Sequence, residues 1–541
     1  MMRKLLLYII FFLPLVLQAQ TSSSVPRPRL VVGIVVDQMR WDYFYRFYDR
    51  YSETGAFRRL LRNGFSCDQT YINYVPTYTA CGHSAIYTGS VPALNGITGN
   101  DWWDYEQNRF VYCTQDDSVQ SVGTDNANGK MSPVHLKGTT IGDELQMATQ
   151  YHSKVIGIAL KDRGAILAAG RGATGAYWYD NKTGNWITST WYRKELPAWV
   201  QQLNAKKQVD EYYKEDWKLL LPAESYTASA KNDSAYKVKV FGGGGFPINL
   251  QQFVGKNYGI LPVTPYGNSL TIEMAKAAIE GEQLGKSGTD LLAVSFSTPD
   301  YIGHNFGPQS IEAEDAFLRL DKDLGAFMDY LDSHFGKDQY LLFLTADHGM
   351  AQVPRYLQER KIDAGSIDTE KTAKELNTAL REKFKLNDAV IGFFNNQVFL
   401  DRNVLSASKT DRTVINDFII NYLEKIPGIA RVVPLANIME APLNSRIRES
   451  IINGYYPTRS GDLQVIAQPD YVEGFMESGS THGAWNPYDA HIPLVWYGWN
   501  IKPGHSSNRV NITDIAVTLA SLLNIQSPSA AVGEVIEDVK R

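Results

Sequence analysis

Three short apolar runs in this chain each end at an aspartate, and they restrict the fold more than any other feature. The runs are Leu30 to Val36 before Asp37, Leu291 to Ser297 before Asp300, and Tyr340 to Thr345 before Asp347. Continuous apolar runs of this length, rich in β-branched residues, indicate strands that are buried on both faces, as in a parallel sheet.

Helical patterns lie between these runs. The clearest covers Ser310 to Phe335, where apolar residues recur at spacings of three and four and so form one face of a helix. Two further runs, Lys154 to Leu160 and Ile492 to Tyr497, resemble the first three. We therefore predict an α/β fold, a doubly wound and mostly parallel central sheet with helices on both faces. Such sheets bind their ligands at the carboxyl ends of the strands.

Two stretches interrupt the alternation of strands and helices. Residues 178–265 are rich in Tyr, Trp, Lys and Asn, and residues 355–456 contain two helical patterns, around Ala373 to Phe384 and around Val414 to Leu423. A chain of 541 residues is long enough for one large domain with insertions. We predict a single domain over residues 20–541, with insertions at about 178–265 and 355–456 that form a cap.

The first 19 residues are typical of a signal peptide. Arg3 and Lys4 precede an apolar stretch from Leu5 to Leu17, which is shorter than the roughly 20 residues of a membrane span. The alternative is an uncleaved N-terminal anchor. We expect a periplasmic or secreted protein without a stable membrane anchor after cleavage of the signal.

Composition narrows the range of partners and cross-links. With 53 basic and 58 acidic residues, the formal charge of −5 does not indicate a nucleic-acid partner. The only cysteines are Cys67, Cys81 and Cys113, an odd number and too few for a disulfide scaffold. Three buried free thiols are favoured over a bridge between Cys67 and Cys113.

The predicted strand ends carry residues that bind divalent metals. Asp300 is followed four residues later by His304, Asp347 is followed directly by His348, and His482 lies in a Gly-rich turn. Each Asp-His pair alone is as typical of an exposed turn as of a metal site. Together with Asp37 these residues provide six oxygen and nitrogen ligands, the number needed for two metals with three protein ligands each.

A candidate nucleophile lies in the segment from Val75 to His83. Thr77 or Thr79 would stand at the start of a helix, where backbone N–H groups favour an anion. A hydroxyl at this place is more often a helix cap than a catalytic group. Spacing alone does not decide between the two threonines.

Further motifs around these residues resemble those of the alkaline phosphatase superfamily. They are Thr79, Gly82-His83, Ile86 to Gly89, Pro92, Asn95 to Ile97 and Asn100, combined with the Asp and His residues above. Lys161-Asp162-Arg163 and the segment from Val31 to Asp42 are similar to the PafA-type, phosphate-irrepressible group of alkaline phosphatases. The motifs span most of the chain in matching order.

The resemblance implies a role for each matching residue. One zinc would be held by Asp37, Asp347, His348 and the oxygen of Thr79, and the other by Asp300, His304 and His482. Asn100, Lys161 and Arg163 would contact the phosphoryl oxygens. The remaining histidines, His83 among them, are expected to be structural or surface residues.

The resemblance also implies an activity, the zinc-dependent hydrolysis of small phosphate monoesters through a phosphothreonine intermediate. We expect the protein to be a monomer. The alternative is a phosphodiesterase or nucleotide pyrophosphatase of the same superfamily. Lys161 and Arg163 favour the monoesterase, since two cations suit two charged oxygens and a diester has only one. A sulfatase is disfavoured because the segment around Cys81 lacks Cys-x-Pro-x-Arg. The complete ligand set argues against an inactive phosphate-binding protein.

Overall fold

The computed structural model describes residues 25–230, 234–242, 245–474 and 476–540. The predicted signal peptide, residues 1–19, lies outside these ranges. Within them, no helix is both long enough and apolar enough to cross a membrane. Cys67, Cys81 and Cys113 are free and buried, as the sequence favours.

The strands are, in chain order, β1 (Leu30–Val36), β2 (Phe65–Tyr71), β3 (Asp101–Asp104), β4 (Arg109–Tyr112), β5 (Ser121–Val122), β6 (Val155–Ala159), β7 (Gly175–Asp180), β8 (Asn185–Ser189), β9 (Asp290–Phe296), β10 (Tyr340–Thr345), β11 (Gly365–Ile367), β12 (Val390–Phe394), β13 (Gln397–Leu400), β14 (Ile429–Pro434), β15 (Leu463–Ala467), β16 (Tyr471–Glu473), β17 (His491–Ile492), β18 (Leu494–Gly498) and β19 (Gly504–Asn511).

The α-helices are α1 (Tyr43–Arg46), α2 (Ala56–Asn63), α3 (Thr79–Thr88), α4 (Pro92–Asn95), α5 (Ile141–Ala148), α6 (Asp162–Ala169), α7 (Ala198–Ala205), α8 (Gln208–Tyr213), α9 (Tyr266–Glu282), α10 (Thr298–Phe306), α11 (Ile311–Phe335), α12 (Pro354–Gln358), α13 (Thr369–Phe384), α14 (Arg402–Ser406), α15 (Arg412–Leu423), α16 (Ser445–Gly454), α17 (Pro487–Ala490) and α18 (Asp514–Leu523).

A central sheet of eleven strands forms the body of the described chain. Its order is β17-β2-β18-β10-β1-β9-β6-β7-β8-β5, and β19 also pairs with β2. The five adjacent strands β10, β1, β9, β6 and β7 are parallel to one another. Every residue of β1, β6, β9 and β10 is buried, because helices cover both faces. The predicted α/β fold with a mostly parallel sheet is confirmed.

The strongest sequence signals agree with the observed elements. β1 and β10 have the predicted bounds, and β6 and β9 differ from the predicted runs by one residue at each end. Helix α11 starts one residue after Ser310, whose side chain accepts a hydrogen bond from the N–H of Ala313 and caps the helix. Periodicity and capping depend only on residues close in the chain, and the elements that they predict are therefore found in the tertiary structure.

The run from Ile492 to Tyr497 resembles the other apolar runs, which suggested one more parallel strand. That prediction is wrong. Pro493 has no N–H to donate, and the run divides there into β17 and β18. β18 is antiparallel to β10, and β17 is antiparallel to β2. The sheet is therefore parallel in its centre and antiparallel on this side.

The two regions predicted as insertions differ in structure. β7, which includes residue 178, and β8 belong to the central sheet, so the irregular segment follows Ser189. Asp315 of α11 fixes this segment by accepting hydrogen bonds from Trp217 Nε1 and Tyr226 Oη. The second region contains a separate four-stranded sheet of order β12-β13-β15-β14, which extends past residue 456 to Ala467. Its own apolar core includes residues of α13 and α15.

Candidate active site

The carboxyl ends of neighbouring strands bring the predicted site residues to one edge of the central sheet. Asp37 follows β1 directly, Asp347 follows β10 by two residues, and Lys161 follows β6 by two. Asp300 lies in the first turn of α10, which begins after β9. Because these four strands are adjacent and parallel, the four side chains converge although the chain separates them widely.

Thr79 is the first residue of α3, and its hydroxyl lies at the centre of this edge. Its Oγ1 is 3.4 Å from His348 Nε2 and 3.4 Å from Lys161 Nζ. The hydroxyl of Thr77, the other candidate, donates a hydrogen bond to the carbonyl oxygen of Ala484, 2.9 Å away. The side chain of Thr77 is therefore engaged in holding a loop, whereas that of Thr79 faces the acidic residues.

The acidic and histidine residues form two groups, each of which could hold a metal ion. One group is Asp37, Asp347 and His348, and the other is Asp300, His304 and His482; within each, one ligand atom per residue lies within 4.8 Å of the others. The imidazole rings of His348 and His482 stack with centroids 3.5 Å apart, which places the groups side by side. The structure thus brings together six residues predicted as ligands.

All three histidines are oriented in the same way. The Nδ1 atoms of His304, His348 and His482 lie 2.8, 2.9 and 2.7 Å from backbone carbonyl oxygens. Since a carbonyl only accepts, each Nδ1 carries a proton, and each Nε2 faces a carboxylate of the site. This is how histidines that bind metals are commonly held.

The carboxylates show the same fit to cations. Asp37 Oδ1 is buried and accepts no hydrogen bond from the described residues; Asp347 Oδ2 is also buried, with the Nδ1 of His83 3.2 Å away. Burial and then the neighbouring Asp347 raise the pKa of Asp37 well above its ordinary value. Burial, together with the nearby His348 and His304, lowers the pKa of His482, which favours the neutral ring that a metal requires. A buried carboxylate oxygen without a hydrogen-bond donor and the neutral ring of His482 match a divalent cation.

Lys161 links the two groups. Its Nζ lies 2.7 Å from Asp37 Oδ2 and 2.5 Å from Asp300 Oδ2. Burial alone would lower the pKa of Lys161, but Asp300 and Asp37 outweigh burial and raise it. The pKa of Asp300 is held well below its ordinary value in spite of burial, because His304 and Lys161 stabilise the carboxylate. The lysine is thus a fixed positive charge beside Thr79.

Arg163 and Asn100 stand at the rim of the same edge. Arg163 Nη1 donates to Tyr112 Oη at 3.1 Å, and Tyr112 Oη donates to Asp162 Oδ1 at 2.8 Å. Asn100 Oδ1 accepts the N–H of Ala80, the residue after Thr79, at 3.0 Å. With its carbonyl end bound to helix α3, the amide of Asn100 keeps its N–H groups for another acceptor.

Two residues with polar contacts in the site were not predicted. Gln38 is buried with a positive φ of 67°; its Nε2 donates to Asp300 Oδ1 and its N–H to Asp347 Oδ1, so it connects the two groups. Tyr112 orients Arg163 as described above. The position of Gln38, directly after a strand-terminal aspartate, was a sequence signal for it. Tyr112 had no comparable local signal.

His83 lies inside the molecule, beside the proposed ligands. Its Nδ1 is 2.9 Å from the carbonyl oxygen of Thr79 and 3.2 Å from Asp347 Oδ2, and its Nε2 is 2.8 Å from Ser295 Oγ. Of the two expected places, structural or surface, it therefore occupies the first. Its spacing of four residues from Thr79 on α3 puts both residues on one helix face.

Comparison with known proteins assigns the family. Residues 31–489 match the model of the type I phosphodiesterase / nucleotide pyrophosphatase family. The chain is 48% identical to alkaline phosphatase PhoV of Synechococcus elongatus over 523 aligned residues. The alignment covers 96% of this chain and 94% of PhoV. The crystal structure of wild-type alkaline phosphatase PafA matches with a TM-score of 0.93 and 45% identity, over 96% of this chain and 100% of that chain. This chain belongs to the PafA-like alkaline phosphatases.

Membership of the PafA-like alkaline phosphatases makes the chain a phosphoric monoester hydrolase, as the motifs predicted. A protein of Myroides odoratus named a calcium-transporting ATPase is also similar, with 49% identity over 525 residues that cover 96% of this chain and 95% of that protein. The residues brought together at the sheet edge are those that the resemblance to alkaline phosphatases selected.

Proposed function

We propose that this PafA-like alkaline phosphatase hydrolyses phosphate monoesters with two bound zinc ions, through a phosphothreonine formed on Thr79. The observation that carries the proposal is the position of the Thr79 hydroxyl, 3.4 Å from both His348 Nε2 and Lys161 Nζ at the start of a helix. The hydroxyl of Thr77, the other candidate, instead donates a hydrogen bond to the carbonyl oxygen of Ala484.

The residues present fit two metal sites. Asp37, Asp347, His348 and the oxygen of Thr79 would hold one zinc, and Asp300, His304 and His482 the other. Zinc when bound is a Lewis acid, which lowers the pKa of a coordinated hydroxyl and stabilises charge on an oxygen. Three imidazoles among seven protein ligands favour zinc over magnesium or calcium, which prefer oxygen.

The reaction proceeds in two displacements at phosphorus. The Thr79 oxygen attacks the phosphorus and loses its proton, the bond to the ester oxygen breaks, and the alcohol departs. Water then attacks the phosphothreonine, inorganic phosphate leaves, and the threonine hydroxyl is restored. Lys161, Arg163 and the N–H groups of Asn100 hold the phosphoryl oxygens during both displacements.

The second candidate is a phosphodiesterase, and the description of the matching family favours it. Lys161 and Arg163 argue for the monoesterase, because each charge-assisted contact to a phosphoryl oxygen is worth about 1.5–3 kcal/mol. A diester has an ester group in place of one charged oxygen and forfeits one such contact. The terminal phosphoryl group of ATP keeps both charged oxygens, so we infer that ATP is also a substrate.

A comparison of kcat/KM for a phosphate monoester and a diester of the same alcohol tests the proposal. We expect the monoester to be preferred by about tenfold or more, the value of one lost contact. Inorganic phosphate released from ATP would be measured alongside. Preference for the diester would contradict the monoesterase and favour the second candidate.

Metal content is a separate test. Chelation should abolish activity, zinc should restore it better than magnesium or calcium, and elemental analysis should find about two zinc ions per chain. Full activity of a calcium-only preparation would contradict the zinc assignment. Fractionation of the producing cells tests the proposed periplasmic or secreted location, and sedimentation tests the proposed monomer.

A further inference from the structure

The turn between β12 and β13 carries two asparagines to the active-site edge. Asn395 and Asn396 both have left-handed backbones, with φ of 57° and 56°, and they join the strands as a two-residue hairpin. Asparagine is favoured in such turns because it tolerates positive φ. The turn belongs to the four-stranded sheet of the second inserted region, not to the central sheet.

Asn395 contacts the chain on both sides of Asn100. Its Nδ2 donates to the carbonyl oxygen of Asp101 at 2.8 Å. At Gly99, on the other side, an added Cβ would lie only 2.6 Å from the same Nδ2, so the two segments are closely packed. The backbone that carries Asn100 therefore rests against the side chain of Asn395.

Asn396 contacts the chain next to His482. Its Nδ2 donates to the carbonyl oxygen of Gly483 at 3.2 Å. The N–H of Thr77 is 3.4 Å from the same oxygen, and the carbonyl of Thr77 accepts from His482 Nδ1. The bond from Asn396 therefore reaches the loop that fixes the imidazole of His482.

The other side of the turn is anchored firmly. The N–H of Asn396 donates to Glu473 Oε2 at 2.5 Å, and its carbonyl oxygen accepts from Gln464 Nε2 at 2.9 Å and from the N–H of Val465 at 2.8 Å. Val465 and Gln464 belong to β15 of the small sheet. A turn held in this way can transmit the position of the small sheet to the active-site edge.

We propose that the Asn395–Asn396 turn is a positioning element of the active site, in which Asn395 places Asn100 and Asn396 places His482. This inference rests on the proposed function, since it assigns those two residues to phosphoryl and metal binding. A left-handed turn requires only a residue that tolerates positive φ, and glycine satisfies that requirement. In the described chain, the two carboxamides also form hydrogen bonds. That of Asn395 donates to the carbonyl of Asp101, the residue after Asn100. That of Asn396 donates to the carbonyl of Gly483, the residue after His482.

Glycine substitutions separate the turn from its side chains. Asn395→Gly and Asn396→Gly keep the left-handed backbone and remove only the carboxamide. Asn500→Gly is the matched control, because Asn500 also has a positive φ of 58° but follows β18 at the opposite edge of the sheet. Asn395→Asp and Asn396→Asp are second variants, which keep side-chain size and lose the N–H donors.

The two asparagines should give different losses. Asn395→Gly should lower monoester kcat/KM about tenfold with unchanged zinc content, the usual scale for outer contacts of a site. Asn396→Gly should lose zinc at about tenfold lower chelator concentration. In the Asn100→Ala background, Asn395→Gly should cause no further loss of kcat/KM, because its effect passes through Asn100.

Three outcomes would overturn the inference. The first is that the variants at 395 and 396 match Asn500→Gly in kcat/KM and in zinc retention. If Asn100→Ala is impaired in the same experiment, the inference about the turn is wrong but the proposed function still stands. Equal loss from Asn395→Gly with and without Asn100 would exclude the route through Asn100. If Asn100→Ala is fully active while Asn395→Gly is impaired, both that route and the proposed role of Asn100 are wrong.

Discussion

At the scale of single residues, the active-site edge distinguishes side chains that sequence treats as equivalent. Thr77 and Thr79 are both buried and two residues apart, yet only the hydroxyl of Thr79 approaches Lys161 and His348. The hydroxyl of Thr77 is bonded to Ala484. The difference follows from where helix α3 starts, because Thr79 is its first residue and Thr77 precedes it.

Thr79→Ala should lower monoester turnover by several orders of magnitude while zinc content survives, because it removes the proposed nucleophile and leaves the other ligands in place. Thr79→Ser, which keeps a hydroxyl, should retain far more activity. Thr77→Ala should cost about 1 kcal/mol of stability, the value of one hydrogen bond, with little loss of turnover. Turnover lost in Thr77→Ala but kept in Thr79→Ala would show that the nucleophile is misassigned.

His83 offers a second prediction at this scale. Both partners of its Nδ1, the Thr79 carbonyl and Asp347 Oδ2, are acceptors, so Nδ1 carries the proton. His83→Phe removes this donor and should lower kcat/KM about 10- to 100-fold. His83→Asn places an amide near the position of Nδ1 and should recover much of the activity. Measurement of kcat/KM and zinc content for both variants checks this prediction. Equal losses of kcat/KM in His83→Phe and His83→Asn would indicate that His83 has only a packing role.

At the scale of elements, strands and helices deliver the site in pairs. Helix α10 carries Asp300 and, one turn later, His304 on the same face. Strand β6 leads into α6 with Lys161 and Arg163 on either side of the first helical residue. The spacing of Asp300 and His304 follows the helical repeat, and the sequence predicted this pair, whereas Lys161 and Arg163 were selected by the family resemblance.

The Lys161→Ala/Arg163→Ala double variant should lower monoester kcat/KM by about 10² to 10⁴, if two contacts of about 1.5–3 kcal/mol add. A diester should lose less, because it offers one charged oxygen fewer. Lys154→Ala/Arg171→Ala is the matched control, with the same two charges removed before β6 and after α6. The measured quantity is the ratio of kcat/KM for the monoester to kcat/KM for the diester, before and after the double substitution. Equal losses for both esters would show that Lys161 and Arg163 only support the site.

At the scale of the whole molecule, two acids lie where the small sheet approaches the active-site edge: Asp489 is buried and Glu473 is partly exposed. Glu473 lies beside the Asn395–Asn396 turn, and Asp489 accepts hydrogen bonds from the N–H groups of Gly483 and Ala484. Burial raises the pKa of both carboxyls to about 7. The folded protein therefore holds these protons more tightly than the unfolded chain does.

This difference predicts how stability depends on pH. Between the ordinary value of 4.5 for a glutamate and about 7, the folded state binds the Glu473 proton and the unfolded state does not. The free energy of unfolding should therefore fall as pH rises through this window and level off above it. Glu473→Gln should lessen the fall by about 1–2 kcal/mol, after discounting for partial exposure. Denaturant unfolding at pH 5 and 7.5 measures it, with Glu477→Gln, an exposed neighbour, as control.

Much of this protein was determined by local sequence signals. Apolar runs predicted β1 and β10, because a strand buried on both faces is apolar along its whole length. Apolar residues at spacings of three and four predicted α11, because a helix buried on one face shows that repeat. Neither pattern depends on distant residues. An aspartate after a parallel strand must lie at the carboxyl edge, so the meeting of Asp37, Asp300 and Asp347 could be predicted. The family motifs selected Thr79 over Thr77 as the proposed nucleophile.

Other features were decided only by the tertiary structure. The Asn395–Asn396 turn reaches the site from a second sheet, whose position follows from packing between segments up to hundreds of residues apart. The contact of His83 with Asp347 likewise depends on how α3 packs against the end of β10. No periodicity records such contacts, because their free energy comes from surfaces that meet only after the chain has folded.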